Sequence, residues 1–414
     1  MTMNLNLSID KPLVEPSLFA LDPSVVFLNH GSFGACPLAV LDYQTELRKR
    51  MEYQPVQFLQ RDLEGLLDEA RAALGEFVGA DPDDLVFVAN ATAGVNTVLR
   101  SLRFEPGDEL LVSNHEYNAC RNAIHFAAER QGAKVITIDI PFPVESEDEV
   151  VDTVMSYVND KTRLLLIDHV TSQTGLVLPI KRIIDLLNER GIDTLIDGAH
   201  APGMIPLNLT ELGATYYTGN CHKWICAPKS AGLLYVRQDK QRDIRPLSIS
   251  HGANSPRKDR SRFQIEFGWM GTRDPTPALS VPFVINYLND IVPGGWPALM
   301  DRNRQLALTA RRIYCNSYNA PMPSPDSMIG SLVSIPIQSS CAPTPIENHL
   351  YLDHWQYELI KRSSIEVPIL AWPAFPKRLI RFSCQAYNSL SQYELLGEAI
   401  KELVDDQFVE SCRD

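Results

Sequence analysis

The chain has 414 residues, of which 45% are hydrophobic, 21% charged and 8% aromatic, a composition that excludes a disordered tail or a fibrous repeat. Its 38 Lys+Arg against 51 Asp+Glu give a formal net charge of -13, a self-field that repels phosphate backbones and anionic lipid headgroups and argues against nucleic acid or membrane partners. The length asks for one large domain with a smaller companion.

The first sixteen residues lack a basic segment followed by an apolar one, and no run approaches the ~18 to 20 apolar residues that span a bilayer. A cytoplasmic location is expected. The eight cysteines, Cys36, Cys120, Cys221, Cys226, Cys315, Cys341, Cys384 and Cys412, form no C-x-x-C pair and no metal-ligand rhythm, so reduced thiols and no metal are expected.

Along the chain, Pro37 to Tyr53 and Phe58 to Val78 read as two amphipathic helices separated at Pro55. Seven apolar, β-branched runs follow: Leu85 to Ala89, Glu109 to Ser113, Lys134 to Ile140, Arg163 to Val170, Thr194 to Asp197, Ala214 to Thr218 and Gly232 to Val236. Nearly continuous apolar runs mark strands covered on both faces, hence a mostly parallel sheet wrapped by helices. The intervening Asn118 to Gln131, Val150 to Asn159 and Ile180 to Arg190 carry helical spacing, the first and last closing on Gly132 and Gly191. The fold class is α/β, with a large, doubly wound, mostly parallel sheet.

Beyond the proline-rich Pro321 to Pro325, short strands at Ser331 to Ile335, Ile365 to Ile369 and Arg378 to Ser383, with helices at His349 to Arg362 and Ser391 to Asp405, describe a small α+β domain. The division expected is 1–80 for an N-terminal segment and helices contributing to the small domain and the pocket, 81–290 for a large cofactor-binding α/β domain, and 291–414 for the small C-terminal domain.

The chemistry concentrates in Gly219-Asn220-Cys221-His222-Lys223-Trp224, which follows one strand, and in Asp197-Gly198-Ala199-His200, which ends another. Ligands of open α/β sheets bind beyond the carboxyl ends of strands, so these Asp, His and Lys side chains converge on one crevice. An aspartate to hold a pyridine nitrogen protonated and a lysine able to form an imine are two requirements of a pyridoxal phosphate site. Asn90-Ala91-Thr92-Ala93-Gly94 lies where a strand turns into a helix, offering free N–H groups and a hydroxyl to a phosphate; taken alone, such a turn is more often a plain N-cap.

These strings resemble the fold-type I, class V aminotransferase superfamily, and within it the isopenicillin N epimerase-like group. Also matching, in order, are Leu28-Asn29-His30-Gly31-Ser32-Phe33-Gly34, His115-Glu116-Tyr117-Asn118, His169-Val170-Thr171-Ser172, Ser250-His251-Gly252-Ala253-Asn254, Gly271-Thr272 and Arg381-Phe382-Ser383, across roughly residues 25 to 400. The resemblance implies pyridoxal 5'-phosphate as cofactor. It makes Lys223 the imine-forming amine and Asp197 the partner of the ring nitrogen, with His200 and Ser172 near the ring 3-oxygen. Ala91, Thr92, Asn220 and His222 would bind the phosphate, and Tyr117 would stack on the ring, with His115 as the alternative. Arg381 would grip the substrate carboxylate, with Asn29 and His30 bordering that pocket. Thr272 would arrive from a neighbouring subunit, which implies a homodimer with shared sites.

The superfamily commonly has Lys-Gly where this chain has Lys229-Ser230, so that turn must accommodate a Cβ. Cys221 and Cys226 flank the lysine but read as buried thiols rather than reactive ones. The activity implied is that of an enzyme acting on an L-amino acid through a Cα carbanion: a lyase or an elimination or cyclisation enzyme of amino-acid or specialised metabolism, with epimerase or aminotransferase as alternatives. A catalytically silent binding protein on the same fold would have lost the lysine or the aspartate. A nicotinamide dehydrogenase would show a G-x-G-x-x-G turn, which is missing here.

Overall fold

The computed structural model describes residues 7–318, 320–340 and 353–411. Its centre is a seven-stranded sheet of β2 (Leu85–Val88), β3 (Glu109–Ser113), β4 (Lys134–Ile138), β5 (Thr162–Asp168), β6 (Asp193–Gly198), β7 (Tyr216–Asn220) and β8 (Gly232–Val236), in the order β2-β8-β7-β6-β5-β3-β4. β8 runs antiparallel to both of its neighbours, and all other pairs are parallel.

Side chains alternate between two cores along each strand. On one face Val86, Leu110, Leu164, Leu166, Leu195, Tyr216 and Leu234 pack with the helices Ala91–Ser101 and Asn118–Glu129. On the other, Leu85, Leu111, Leu165, Ile167, Ile196, Tyr217 and Leu233 join the helices Leu38–Tyr53, Leu63–Val78 and Ile180–Asn188. Burial on both faces is why the strands lack a polar side. The exception is β4, expected as a fully covered run: it is an edge strand in which Ile138 alone is buried and Lys134 and Thr137 are exposed. A charged residue on an open edge also discourages pairing with another chain.

A second, three-stranded antiparallel sheet has the order β11-β12-β9, from β9 (Leu332–Ile337), β11 (Ile369–Ala371) and β12 (Arg378–Ser383). The expected strand Ile365 to Ile369 is instead two pieces. β10 (Ile365–Glu366) pairs in parallel with β1 (Val26–Phe27), while Ile369 starts β11. Pro368 stands between them, and without an N–H it cannot continue a ladder. The helices Gly295–Ser317, His354–Ser363 and Leu390–Ser411 accompany this sheet. The start of the helix expected at His349 lies outside the described residues, as do Cys341 and Cys412. The other six cysteines are free and buried.

A candidate cofactor site at the carboxyl ends of the central strands

Parallel pairing sets Asp168 of β5 opposite Asp197 of β6, and Asp197 opposite Thr218 of β7. Cross-strand partners share a face, here the one covered by the helices Ala91–Ser101 and Asn118–Glu129. Two carboxylates therefore emerge side by side at the sheet's carboxyl end. Asp197 accepts hydrogen bonds from the Ala199 N–H (2.9 Å) and the Cys120 thiol (3.2 Å).

After β7 the chain turns back, and Lys223 projects into the crevice, where its Nζ lies 3.0 Å from Nε2 of His200. Burial, reinforced by the positive charge of Arg381, lowers the Lys223 amine to about 8 against the pull of Asp197 and Asp168. A buried lysine with few compensating charges is the type that serves as nucleophile or base. His200 is itself pushed well down by burial and is neutral.

The turn into the Ala91–Ser101 helix is capped by Asn90, whose side chain accepts from the Ala93 N–H at 2.9 Å. The Ala91 N–H donates to Oδ1 of Asn220 at 2.9 Å, so Ala91 contributes through this link to the lysine loop. The Thr92 hydroxyl has no partner among the described residues. His222 is tied through Nδ1 to the Ala231 carbonyl (3.1 Å) and lowered by burial to about 4, which leaves a neutral imidazole with Nε2 uncommitted. The close approach of helix and strand rests on Gly94, where a Cβ would fall 2.0 Å from Oγ1 of Thr218.

Arg381 enters from β12. It donates to the Ser172 carbonyl (2.7 Å), to the Ser172 hydroxyl (3.4 Å) and to the Ser32 hydroxyl (2.7 Å). It is 4% exposed, and among the described residues no carboxylate pairs with it. Burial lowers it to about 10, opposed by Tyr117. An enclosed guanidinium held by neutral oxygens is set up to receive an anion. Ser172 is thus a tether for Arg381.

Tyr117 and His115 differ clearly. His115 is fully enclosed, with Nδ1 on Thr174 (2.7 Å) and Nε2 on the Ile140 carbonyl (3.0 Å), its ring against Trp372. Tyr117, 46% exposed, starts the Asn118–Glu129 helix with an open ring. His30 is also enclosed, reaching the Tyr387 hydroxyl (2.8 Å) and the Lys223 carbonyl (3.0 Å); it bolts the N-terminal strip to the lysine loop. There Gly34, at φ +73°, lies so close that a Cβ would meet the His222 carbonyl at 2.0 Å. Asn29 bonds Glu366 (3.2 Å) and accepts from Ser32 (2.5 Å), which places it behind Arg381.

Thr272 stands apart, exposed and with no hydrogen bond to the Lys223 group. Ser230 takes φ +73°, the left-handed backbone that the missing glycine would have adopted freely. Cys221 is pushed up to about 12 by burial and Cys226 is raised further, so neither is a thiolate nucleophile.

Sequence reasoning gave no role to Ser32, Cys120, Asp168 or Glu116. Ser32 and Glu116 sit inside recognised strings, but what they touch comes from distant segments.

The aminotransferase class-V family pattern matches residues 37–307, and the chain belongs to this family, which is pyridoxal phosphate-dependent. It is 35% identical to isopenicillin N epimerase from Amycolatopsis lactamdurans over 398 residues, covering 93% of this chain and 96% of that one. To L-cysteine desulfhydrase from Arabidopsis thaliana it is 28% identical, covering 92% and 88%. Among solved structures, the Escherichia coli cysteine desulfurase CsdA superposes with a TM-score of 0.73 at 19% identity, covering 94% of this chain and 97% of that one. The cystine C–S lyase C-DES, in complex with cysteine persulfide, gives 0.72 at 20%, covering 90% and 96%. These likenesses establish fold type I. The donor set fits the cofactor: an acid for a ring nitrogen, a depressed lysine amine, and a helix start with an unclaimed hydroxyl.

Proposed function

We propose that the chain is a pyridoxal phosphate-dependent lyase that removes a β-substituent, above all sulfur, from an L-cysteine-type amino acid. The observation that carries it is the enclosed, carboxylate-free Arg381 sharing one crevice with the depressed Lys223 amine. Arg381 receives the substrate α-carboxylate and, anchored by Ser32 and Ser172, holds the Cα–H bond toward Lys223. Bound here, the cofactor supplies the electron sink that accepts the pair left at Cα. Lys223 takes the Cα proton at Nζ and delivers it to the departing sulfur. Asp197 would keep a proton on the cofactor's ring nitrogen, Tyr117 would cover the ring, and Thr92 and His222 would hold the phosphate, with the bond from the Ala91 N–H to Asn220 fixing the turn that presents them. His200 holds the amine between steps. For cysteine the balance is cysteine plus water giving pyruvate, ammonia and hydrogen sulfide.

Relatives on both sides, an epimerase and a desulfhydrase, match the chain. The lyase reading is favoured because one amine, Lys223 with His200 bonded to it, can both take the Cα proton and return it, whereas two-base epimerisation needs a second acid. His115, the nearest imidazole to Tyr117 in sequence, has both nitrogens occupied. On this reading residues 81–290 carry the cofactor, 1–80 and 291–414 close over it, and Thr272 completes the site of a second copy in a homodimer. No helix among the described residues is long and apolar enough to cross a membrane; a cytoplasmic setting is part of the proposal.

The test is a panel of L-amino acids in deuterated water, scored for Cα exchange, sulfide, pyruvate and ammonia. Sulfide with stoichiometric pyruvate and ammonia from a cysteine derivative is the expected result. Deuterium at an inverted Cα without sulfide would transfer the chain to the epimerases.

A further inference from the structure

Glu116, between the enclosed His115 and the open Tyr117, is fully buried. Neither of its carboxyl oxygens has a donor among the described residues, and Oδ2 of Asp168 lacks one too. The groups around it are carboxyls and a thiol: Asp168 and Asp197 lie within hydrogen-bond reach, and one oxygen of Glu116, Sγ of Cys120 and one oxygen of Asp197 fall within 4.8 Å of one another. Lys223 is a cation that acts on Asp168 and Asp197. A buried carboxylate with no donor, beside two others, is not a tolerable arrangement. A proton on one of them removes the conflict, because an orphan acceptor then becomes a donor.

The distribution of donors says which group carries it. Asp197 already accepts from the Ala199 N–H and the Cys120 thiol, whereas Glu116 accepts from nothing. We propose that Glu116 is a positioning residue: it keeps its proton and, as a neutral carboxylic acid, donates a hydrogen bond into the Asp168–Asp197 pair, so that Asp197 stays anionic and aimed at the crevice. Burial, then the charges of Asp168 and Asp197, push Glu116 well up, in keeping with this assignment. The role toward Asp197 rests on the proposed cofactor reading; the protonation itself does not.

The protonation is read by infrared difference spectroscopy on the cofactor-free protein. A protonated-carboxyl band persisting at neutral pH, lost in Glu116→Gln and kept in Asp168→Asn, is expected. Absence of the band, or its survival in Glu116→Gln, overturns the proposal, and so does a stoichiometric divalent metal found by elemental analysis. The positioning role is read on the holoenzyme by the pH titration of its visible absorption and by cofactor affinity. Gln retains a donor and the side chain's shape, and should stay within about threefold of wild type. Glu116→Met fills the volume without a donor; it should weaken cofactor binding by about tenfold, the scale of one buried hydrogen bond, and displace the absorption titration. Equal behaviour of Gln and Met overturns the role. A protein that shows the band yet never acquires visible absorption would instead defeat the cofactor reading.

Discussion

Trp224 donates its indole N–H to Nδ1 of His200 at 3.3 Å, and that contact decides how the imidazole meets Lys223. With Nδ1 accepting, a neutral ring carries its proton on Nε2, so the 3.0 Å contact to Nζ is a donation to the unprotonated amine. Burial and the charge of Arg381 keep Lys223 near 8, and the Trp224 contact leaves His200 presenting a donor that only the neutral amine accepts. Only the neutral amine captures the cofactor, so the capture rate of the cofactor-free protein should rise with pH through about 8. In Trp224→Phe the imidazole is free to switch tautomer and accept from an ammonium, which moves the midpoint upward. One unit of displacement corresponds to about 1.4 kcal/mol. An unmoved midpoint would mean that the indole contact does not govern the amine. Asp197, His200 and Lys223 were legible because each belongs to a short string at the end of a strand. Ser32 and Glu116 were not, since a serine that tethers an arginine from another segment has no local signature.

At the scale of elements, the turn proposed to bind phosphate is placed by contact between the Ala91–Ser101 helix and β7. Gly94→Ala would drive a methyl group into Thr218, and the helix start must lift away. A loss of about 1–3 kcal/mol is expected from overpacking, with cofactor affinity falling more than stability because Ala91 and Thr92 move together. Chemical denaturation set beside a cofactor titration checks this; an unchanged affinity at lowered stability would separate the turn from phosphate binding. The central strands could be placed from their apolar runs, and two-faced burial is the reason. Lys134–Ile138 was misjudged because an edge strand can be as β-branched as a central one, and edge position depends on strand order. The break at Pro368 was visible as a proline, but the partner β10 takes on its near side, β1 from the other end of the chain, is non-local.

For the whole molecule, the isolated position of Thr272 matters most. Near it, a cavity of about 510 Å³ is lined by residues including Leu63, Trp269, Arg260 and Arg273, and Thr272 and Arg273 are both exposed. On the proposed function, a second copy of the chain would seat against this hollow and bring its Thr272 to the neighbouring site. Analytical ultracentrifugation should give a dimer. Mixed dimers of Lys223→Ala and Thr272→Ala subunits should rebuild one intact site from two defective chains, restoring up to about half of the cofactor-binding capacity. Hybrids no better than their parents would place Thr272 outside the site.

Arg381 is an enclosed cation, and its charge makes a proton on Lys223 harder to keep. On the proposed function, an amino acid that docks its carboxylate on Arg381 would cancel that repulsion. The proton affinity of Lys223 would then climb as the substrate arrives. The base would be weak while the crevice is vacant and strengthened by the molecule it deprotonates, which would withhold reactivity from amines that lack an acid group.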